Sequence, residues 1–207
     1  MLSKSVTALP EPMFLPDVEA NPQPSPYLDL IERVRNAGKE NWQIWNLFAF
    51  QPQMTIHMGR FTHAVMYEPG PIPPALRELI ATYTSSVNNC QFCTRSHAAV
   101  TGYLMPRETV DAVLQDLESA PIPEAEKLLL RFTRRVTLDS SSITENDMDP
   151  LRSAGWSDAA IYYAITVAAL FNFYNRWVSA TGVHPVSFEG HQLHAAAIAE
   201  RGYIRGE

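Results

Sequence analysis

From about Ser25 onward the apolar residues of this chain recur every three or four positions, and no segment of useful length alternates apolar with polar. That period belongs to helices, so the 207-residue chain is expected to be all-α. Ser25-Pro26 is a good cap and first-turn pair, followed by Leu28, Ile31 and Val34 at helical spacing. Trp45, Leu47, Phe48 and Phe50 precede Pro52, after which Met54, His57, Met58, Phe61 and Val65 form a second stripe. The turn-rich run EPGPIPP at 68–74 separates this N-terminal layer from the rest. Pro106, Pro123 and Ser157 mark later helix starts, and Gly155 marks a stop. Pro150, inside the 144–154 segment, predicts a kink or a short first turn. There is no internal repeat and no glycine-rich phosphate loop. The expected organisation is a proline-rich arm over 1–25, one helical domain over 26–188 and a C-terminal tail over 189–207.

Composition narrows the function classes. Only 18% of residues are charged, against roughly 25% in an average soluble chain, which suits a surface partly covered in a homo-oligomer. The net charge of −6 argues against a nucleic-acid or anionic-membrane partner, either of which needs a basic face. Six of the 16 prolines fall in the first 26 residues, so the N-terminus reads as an extended arm. It is either a free tail or a strap over a neighbouring subunit anchored by Met13, Phe14 and Leu15. The stretch MLSKSVTALPEPMFLPDVEA lacks the apolar run of a secretory signal. The most apolar segment, 159–171, is well short of the roughly 20 residues needed to span a bilayer and reads as a buried helix. A cytoplasmic protein is expected, in which a thiol pair stays reduced unless it is catalytic.

The chemistry concentrates in residues 76–104, LRELIATYTSSVNNCQFCTRSHAAVTGYL. Two helical patterns meet at Asn88-Asn89, whose side chains compete for backbone hydrogen bonds and favour caps and turns. With Asn89 as N-cap, Cys90 lies in the first turn of the second helix, where free N–H groups and the helix dipole favour a thiolate. At 100° per residue Cys93 and His97 lie at about −60° and −20° from Cys90, so both sulfurs and the imidazole share one stripe. Cys93 and His97 are i,i+4 neighbours, near enough for proton exchange. Glu78 would be about 18 Å from Cys90 along one straight helix. An elbow at Asn88-Asn89 instead folds the helices into a hairpin and sets Glu78 opposite His97, where a carboxylate fixes the imidazole tautomer.

Other readings of the pair are weaker. A structural zinc site needs a second ligand pair that is missing, although Cys90, Cys93 and His97 could hold a metal with a fourth water. Haem attachment needs histidine where Thr94 stands, and a thioredoxin-like fold needs strands.

Glu78, Cys90, Cys93 and His97 match E-x11-C-x2-C-x3-H, and the chain in this respect resembles the alkyl hydroperoxidase D-like branch of the carboxymuconolactone decarboxylase superfamily. Ser85 and Asn88 fall where that family commonly has serine and asparagine. Asn46-Leu47 with Pro52, and the run ALFNFYNR at 169–176, resemble its peroxidase-related subgroup, so the likeness covers roughly residues 40–185. The resemblance implies an all-helical homo-oligomer that reduces a small peroxide. It implies Cys93 as the nucleophile that becomes a sulfenic acid, Cys90 as the resolving thiol, His97 and Glu78 as proton relay, and an external dithiol as reductant. No cofactor and no metal are expected. The helix dipole alone favours Cys90 as the thiolate, whereas the relay favours Cys93; the reading adopted is Cys93. Well-known members carry histidine just before the second cysteine, where this chain has Phe92, so the pocket is more apolar and lacks that proton donor. A lyase or decarboxylase using Glu78 and His97 as acid and base, or an oligomeric thiol sensor, are the alternatives.

Several residues are set aside. Tyr83 lies off the Glu78 face and reads as core packing, and Arg95 as a solvated or interface residue. His57 and His63 read as structural, and His191 and His194 lack an acidic ligand at helical spacing. Asn172, Asn175 and Arg176 either cap the late helix or line the site mouth.

Overall fold

The computed structural model describes residues 11–204, and among them the regular structure is helical, with no strand. In chain order the α-helices are α1 (Pro16–Ala20), α2 (Pro26–Asn36), α3 (Ile44–Phe50), α4 (Pro52–Met66), α5 (Pro74–Val87), α6 (Gln91–Leu104), α7 (Arg107–Gln115), α8 (Glu124–Asp139), α9 (Asp149–Ser153), α10 (Asp158–Thr181) and α11 (Phe188–Arg201). The prolines explain where many of them begin. Pro16, Pro26, Pro52, Pro74 and Pro150 occupy first-turn positions, where a missing N–H costs nothing, and Pro73, Pro106 and Pro123 stand at N-caps. Pro150 therefore opens α9 rather than kinking a longer helix. Ahead of it, Thr144 caps a short 3-10 turn through a reciprocal bond with Asp147. Ser25 and Ser157 accept from Leu28 and Ala160 as side-chain N-caps. Gly155, at φ +95°, closes α9 with Trp156 N–H bonded to the Leu151 carbonyl.

Two apolar clusters share the interior. One joins α5, α8 and α10 through Leu79, Ile80, Leu129, Leu130, Val167 and Phe171. The other packs Trp42, Trp45, Ile31 and Ile198 around Cys90, Phe92 and Cys93. The α5–α6 hairpin lies between them, with α11 laid on α6 and α10 on α5. Arg77 is fully buried, and its guanidinium donates to the carbonyls of Val65, Glu68 and Ile72. It thereby closes the end of α4 and the 68–74 turn onto α5.

Three expectations change. On α4 the buried face is Thr55, Gly59, Thr62, Val65 and Met66, while Met54 and Phe61 point outward. Small residues face inward because Tyr27 and Tyr174 close on that side: the Tyr27 hydroxyl lies against Gly59, and Thr62 bonds the Tyr174 hydroxyl at 2.7 Å. The segment 189–207, read above as a tail, carries most of α11, whose His191, His194, Ala195 and Ile198 are buried against the hairpin side of the molecule. In the arm, residues 11–25 lie on their own chain. Met13 is buried in the tryptophan cluster, and Phe14 N–H donates to the Thr181 carbonyl at 3.1 Å. The rest of the arm lies outside the described residues. No single helix among the described residues is long and apolar enough to cross a membrane.

Candidate active site

The elbow forms at Asn88-Asn89, where the sequence places it, and the cap of the second helix lies one residue later than expected. Asn88 caps α5, and Asn89 adopts φ +56°, a left-handed conformation that asparagine tolerates. Its N–H bonds the Ser86 carbonyl, and Cys90 N–H bonds that of Ser85. This paired closure ends one helix and turns the chain into the next. The N-cap of α6 is thus Cys90 itself rather than Asn89. The cause is that Asn89 is already committed to the left-handed closure of α5, and an N-cap needs extended backbone, which Cys90 has at φ −83° and ψ 94°.

Folding at this elbow brings Glu78 to His97. Glu78 Oε2 accepts from His97 Nδ1 at 2.8 Å, with the Glu78 side chain wholly buried. Thr82 and Thr101 cross-link the same two helices at 3.1 Å. The Nδ1 contact leaves His97 Nε2 as the ring's acceptor. A residue that sequence reasoning missed completes the group: the Tyr203 hydroxyl donates to Glu78 Oε1 at 2.8 Å and lies 3.2 Å from His97 Nδ1. It comes from beyond α11, where no periodic signal marks it. The turn residue Gly202 before it was the available clue.

Both cysteines are free thiols and buried. They share a hydrogen bond that divides their acidity. The Cys93 thiol donating to Cys90 is the chief cause that brings the Cys90 pKa down to about 6; burial opposes it, and the Cys93 N–H, the Ser179 hydroxyl and His97 assist. Cys93 is pushed well above the ordinary thiol range, first by that same bond and then by burial and the neighbouring Cys90 charge, while the Asn175 side chain pulls it back. The pair therefore holds one proton and one negative charge between two sulfurs. That bond favours the negative charge on Cys90, as the helix-terminus argument does.

Cys93 is the sulfur that faces a cavity. With His97, Phe92, Phe171, Tyr174 and Tyr203 it lines a chamber of about 70 Å3, completed by Tyr27, Trp42, Trp45 and Phe48 among others. The lining contains no lysine or arginine. Phe171 meets the His97 ring edge-on at 4.4 Å, and Phe92, in the position where histidine is absent, packs edge-on against Trp42 at 5.7 Å.

Asn172, Asn175 and Arg176 neither cap the end of α10 nor line the cavity. Asn175 Nδ2 donates to Ser85 Oγ at 3.0 Å, and Asn88 Nδ2 donates to Asn175 Oδ1 at 2.9 Å and Asn172 Oδ1 at 3.1 Å. Arg176 donates to Asn172 in turn. These residues tether α10 to the elbow. His191 and His194 bond Ser96 and the Glu40 carbonyl, and burial, helped by Arg95, brings the His191 pKa down to about 4, so it stays neutral. His63 Nδ1 accepts from Tyr203 N–H at 3.2 Å, while His57 and Arg95 are exposed and Tyr83 is half-buried beside the core.

The comparisons with known proteins agree with this architecture. Residues 52–133 match the model of the carboxymuconolactone decarboxylase family. The structure is similar to an uncharacterized peroxidase-related protein from Silicibacter sp. TM1040, at 27% identity and TM-score 0.73, covering 92% of this chain and 97% of that one. The chain is thus similar to the carboxymuconolactone decarboxylase family over residues 52–133, the stretch that holds Glu78, Cys90, Cys93 and His97. A second similar structure is the alkylhydroperoxidase core of a peroxidase-related protein from Ralstonia eutropha JMP134, at 24% identity and TM-score 0.74, covering 89% of this chain and 98% of that one. A debrominase shares the fold at 20% identity and TM-score 0.65, covering 87% and 92%. The same fold thus occurs in proteins that carry different names. No curated protein matches the sequence.

Proposed function

We propose that this chain is a member of the alkyl hydroperoxidase D-like carboxymuconolactone decarboxylase superfamily and a thiol-dependent peroxidase that reduces a small hydroperoxide through Cys93 and Cys90, with Glu78 and His97 as proton relay. The observation that carries this reading is that Cys93 and His97 line one aromatic-walled cavity while a buried carboxylate holds the imidazole from behind. The Cys93 proton passes along the S–H···S contact to Cys90, leaving Cys93 as the thiolate. A thiolate of high parent pKa is scarce but intrinsically the stronger nucleophile. It attacks the peroxide: the O–O bond breaks, an S–O bond forms, sulfur is oxidised to the sulfenic acid, and the leaving alkoxide becomes an alcohol by taking a solvent proton that His97 Nε2 accepts and hands on, the transient imidazolium being held by Glu78. Cys90 then loses its proton, attacks the sulfenic sulfur and expels water, giving the Cys90–Cys93 disulfide. An external dithiol supplies the two electrons that reopen it. No step draws on a cofactor or a metal. The reduced resting thiols suit the cytoplasm.

The reading includes a homo-oligomer. Phe61 and Phe173 are about half exposed, and with Met58, Ile165 and Ala169 they form an apolar groove across α4 and α10. An exposed apolar face of this kind suits burial against a second copy, which would fit the low charged fraction.

The test compares hydroperoxide-dependent oxidation and turnover, with a dithiol present, in the wild type, Cys93→Ser and His97→Ala. Loss of turnover in both variants is expected. Equal reaction in all three proteins overturns the assignment, activity that survives cysteine replacement points to acid–base lyase chemistry, and disulfide formation without turnover points to a sensor.

A further inference from the structure

Each oxygen of the buried Glu78 carboxylate has its own donor, His97 on Oε2 and Tyr203 on Oε1. Tyr203 is not placed there by a helix. The chain leaves α11 at Arg201, and Gly202 takes φ +70°, which side-chain-bearing residues rarely adopt. A Cβ at Gly202 would also lie 2.4 Å from His63 Nδ1. Tyr203 N–H then donates to that same His63 nitrogen, and the Tyr203 ring meets Tyr67 of the α4 end at 5.7 Å. Two backbone features and one ring contact thus latch the C-terminal end of α11 onto the α4 side and aim the phenol at the carboxylate.

We propose that Tyr203 is a positioning residue for the Glu78–His97 pair, delivered by this Gly202–His63 latch; its catalytic consequence rests on the peroxidase reading above. The phenol acts through Glu78. While it occupies Oε1, only Oε2 is free to receive the imidazole, so the carboxylate cannot swing or share itself between donors. That fixes the His97 ring plane and keeps Nδ1 as the protonated nitrogen, with Nε2 presented to the cavity as acceptor. Without the hydroxyl, a fully buried carboxylate oxygen loses its donor, and the cheapest repair is rotation onto His97 or entry of water. Either change moves the imidazole relative to Cys93.

The experiment pairs Tyr203→Phe, which keeps the ring and its contact with Tyr67, with Gly202→Ala, which keeps the phenol and disrupts the latch. Nitrogen-15 NMR of His97 reports tautomer and hydrogen bonding without reference to turnover. Hydroperoxide kinetics report kcat, KM and the pH profile. In the wild type, His97 is expected protonated at Nδ1. In both variants the Nδ1 signature weakens, kcat falls about 10–100-fold as for other residues that orient a reacting group, the pH profile shifts and KM holds. If Tyr203→Phe does not fold, Gly202→Ala and the wild-type tautomer decide the matter. An unchanged His97 spectrum in a folded variant, or a wild-type His97 protonated at Nε2, overturns the proposal. A wild type that turns over no hydroperoxide overturns the peroxidase reading instead, and the His97 spectra still judge Tyr203.

Discussion

Asn175, near the end of α10, donates to Ser85 at the end of α5, ninety positions earlier in the chain, at 3.0 Å. The same amide oxygen receives Asn88 of the elbow, and the side chain bears on the Cys93 sulfur. One buried residue therefore ties the long core helix to the turn that presents both thiols. Asn175→Ala leaves Ser85 and Asn88 short of a partner, at a cost of about 1–3 kcal/mol. It also removes the bond that lowers the Cys93 pKa. Urea denaturation of the reduced protein should show the loss of stability, and thiol alkylation followed against pH should show Cys93 reacting only at higher pH. Unchanged stability together with an unchanged alkylation profile would mean that the tether does not hold the elbow.

The divided acidity of the thiols has a pH signature. Cys90 titrates near 6 in the fold because Cys93 donates to it, whereas an unfolded cysteine titrates at about 8.5. Between those values the unfolded chain binds a proton that the native state does not, so stability rises with pH; this gain is complete above the unfolded value and is lost as pH falls through 6. Cys93 works the other way, its raised pKa withdrawing stability above the ordinary thiol range. Reduced wild type is thus expected to melt higher at pH 8 than at pH 5.5. Cys93→Ala removes the donor, so the ultraviolet titration of the Cys90 thiolate should move up and the melting difference should shrink. A Cys90 titration that ignores the substitution would break the link between the two sulfurs.

Much of this site is legible in sequence because it is local. A hairpin of two helices fixes which residues face each other, so the spacing from Glu78 to the elbow and from the elbow to His97 suffices to pair them. The distribution of charge between Cys90 and Cys93 is less legible. It depends on a hydrogen bond whose direction follows from which sulfur the α6 terminus supports, and a one-residue shift of the N-cap alters that balance. Tyr203 was beyond reach for another reason: it arrives by a tertiary latch on His63, with no periodicity to announce it. The α4 stripe misled because Thr55, Gly59 and Thr62 are buried for their small size against Tyr27 and Tyr174, which a count of apolar residues cannot register.

Glu78→Gln tests the relay with little change of shape. The amide keeps the volume at a wholly buried position but presents either an N–H or a carbonyl to His97 Nδ1, so the imidazole tautomer is no longer imposed. Turnover with a hydroperoxide is expected to fall about 10²–10⁴-fold, the range for loss of positioned acid–base assistance, while the Cys90–Cys93 disulfide still forms slowly under strong oxidant. Full activity in Glu78→Gln would remove the carboxylate from the mechanism.

The apolar groove of α4 and α10 makes a prediction about assembly. Phe61 and Phe173 are 53% and 50% exposed, so replacing both with glutamate removes little from the core, and far-ultraviolet circular dichroism should keep its helical form. Across an interface the same two charges would be buried without partners, which self-association does not tolerate. Sedimentation equilibrium should therefore show an oligomer for the wild type and a shift to monomer for Phe61→Glu with Phe173→Glu. A wild type that sediments as a monomer at micromolar concentration, or an oligomer indifferent to both charges, would place the self-association surface elsewhere or remove it.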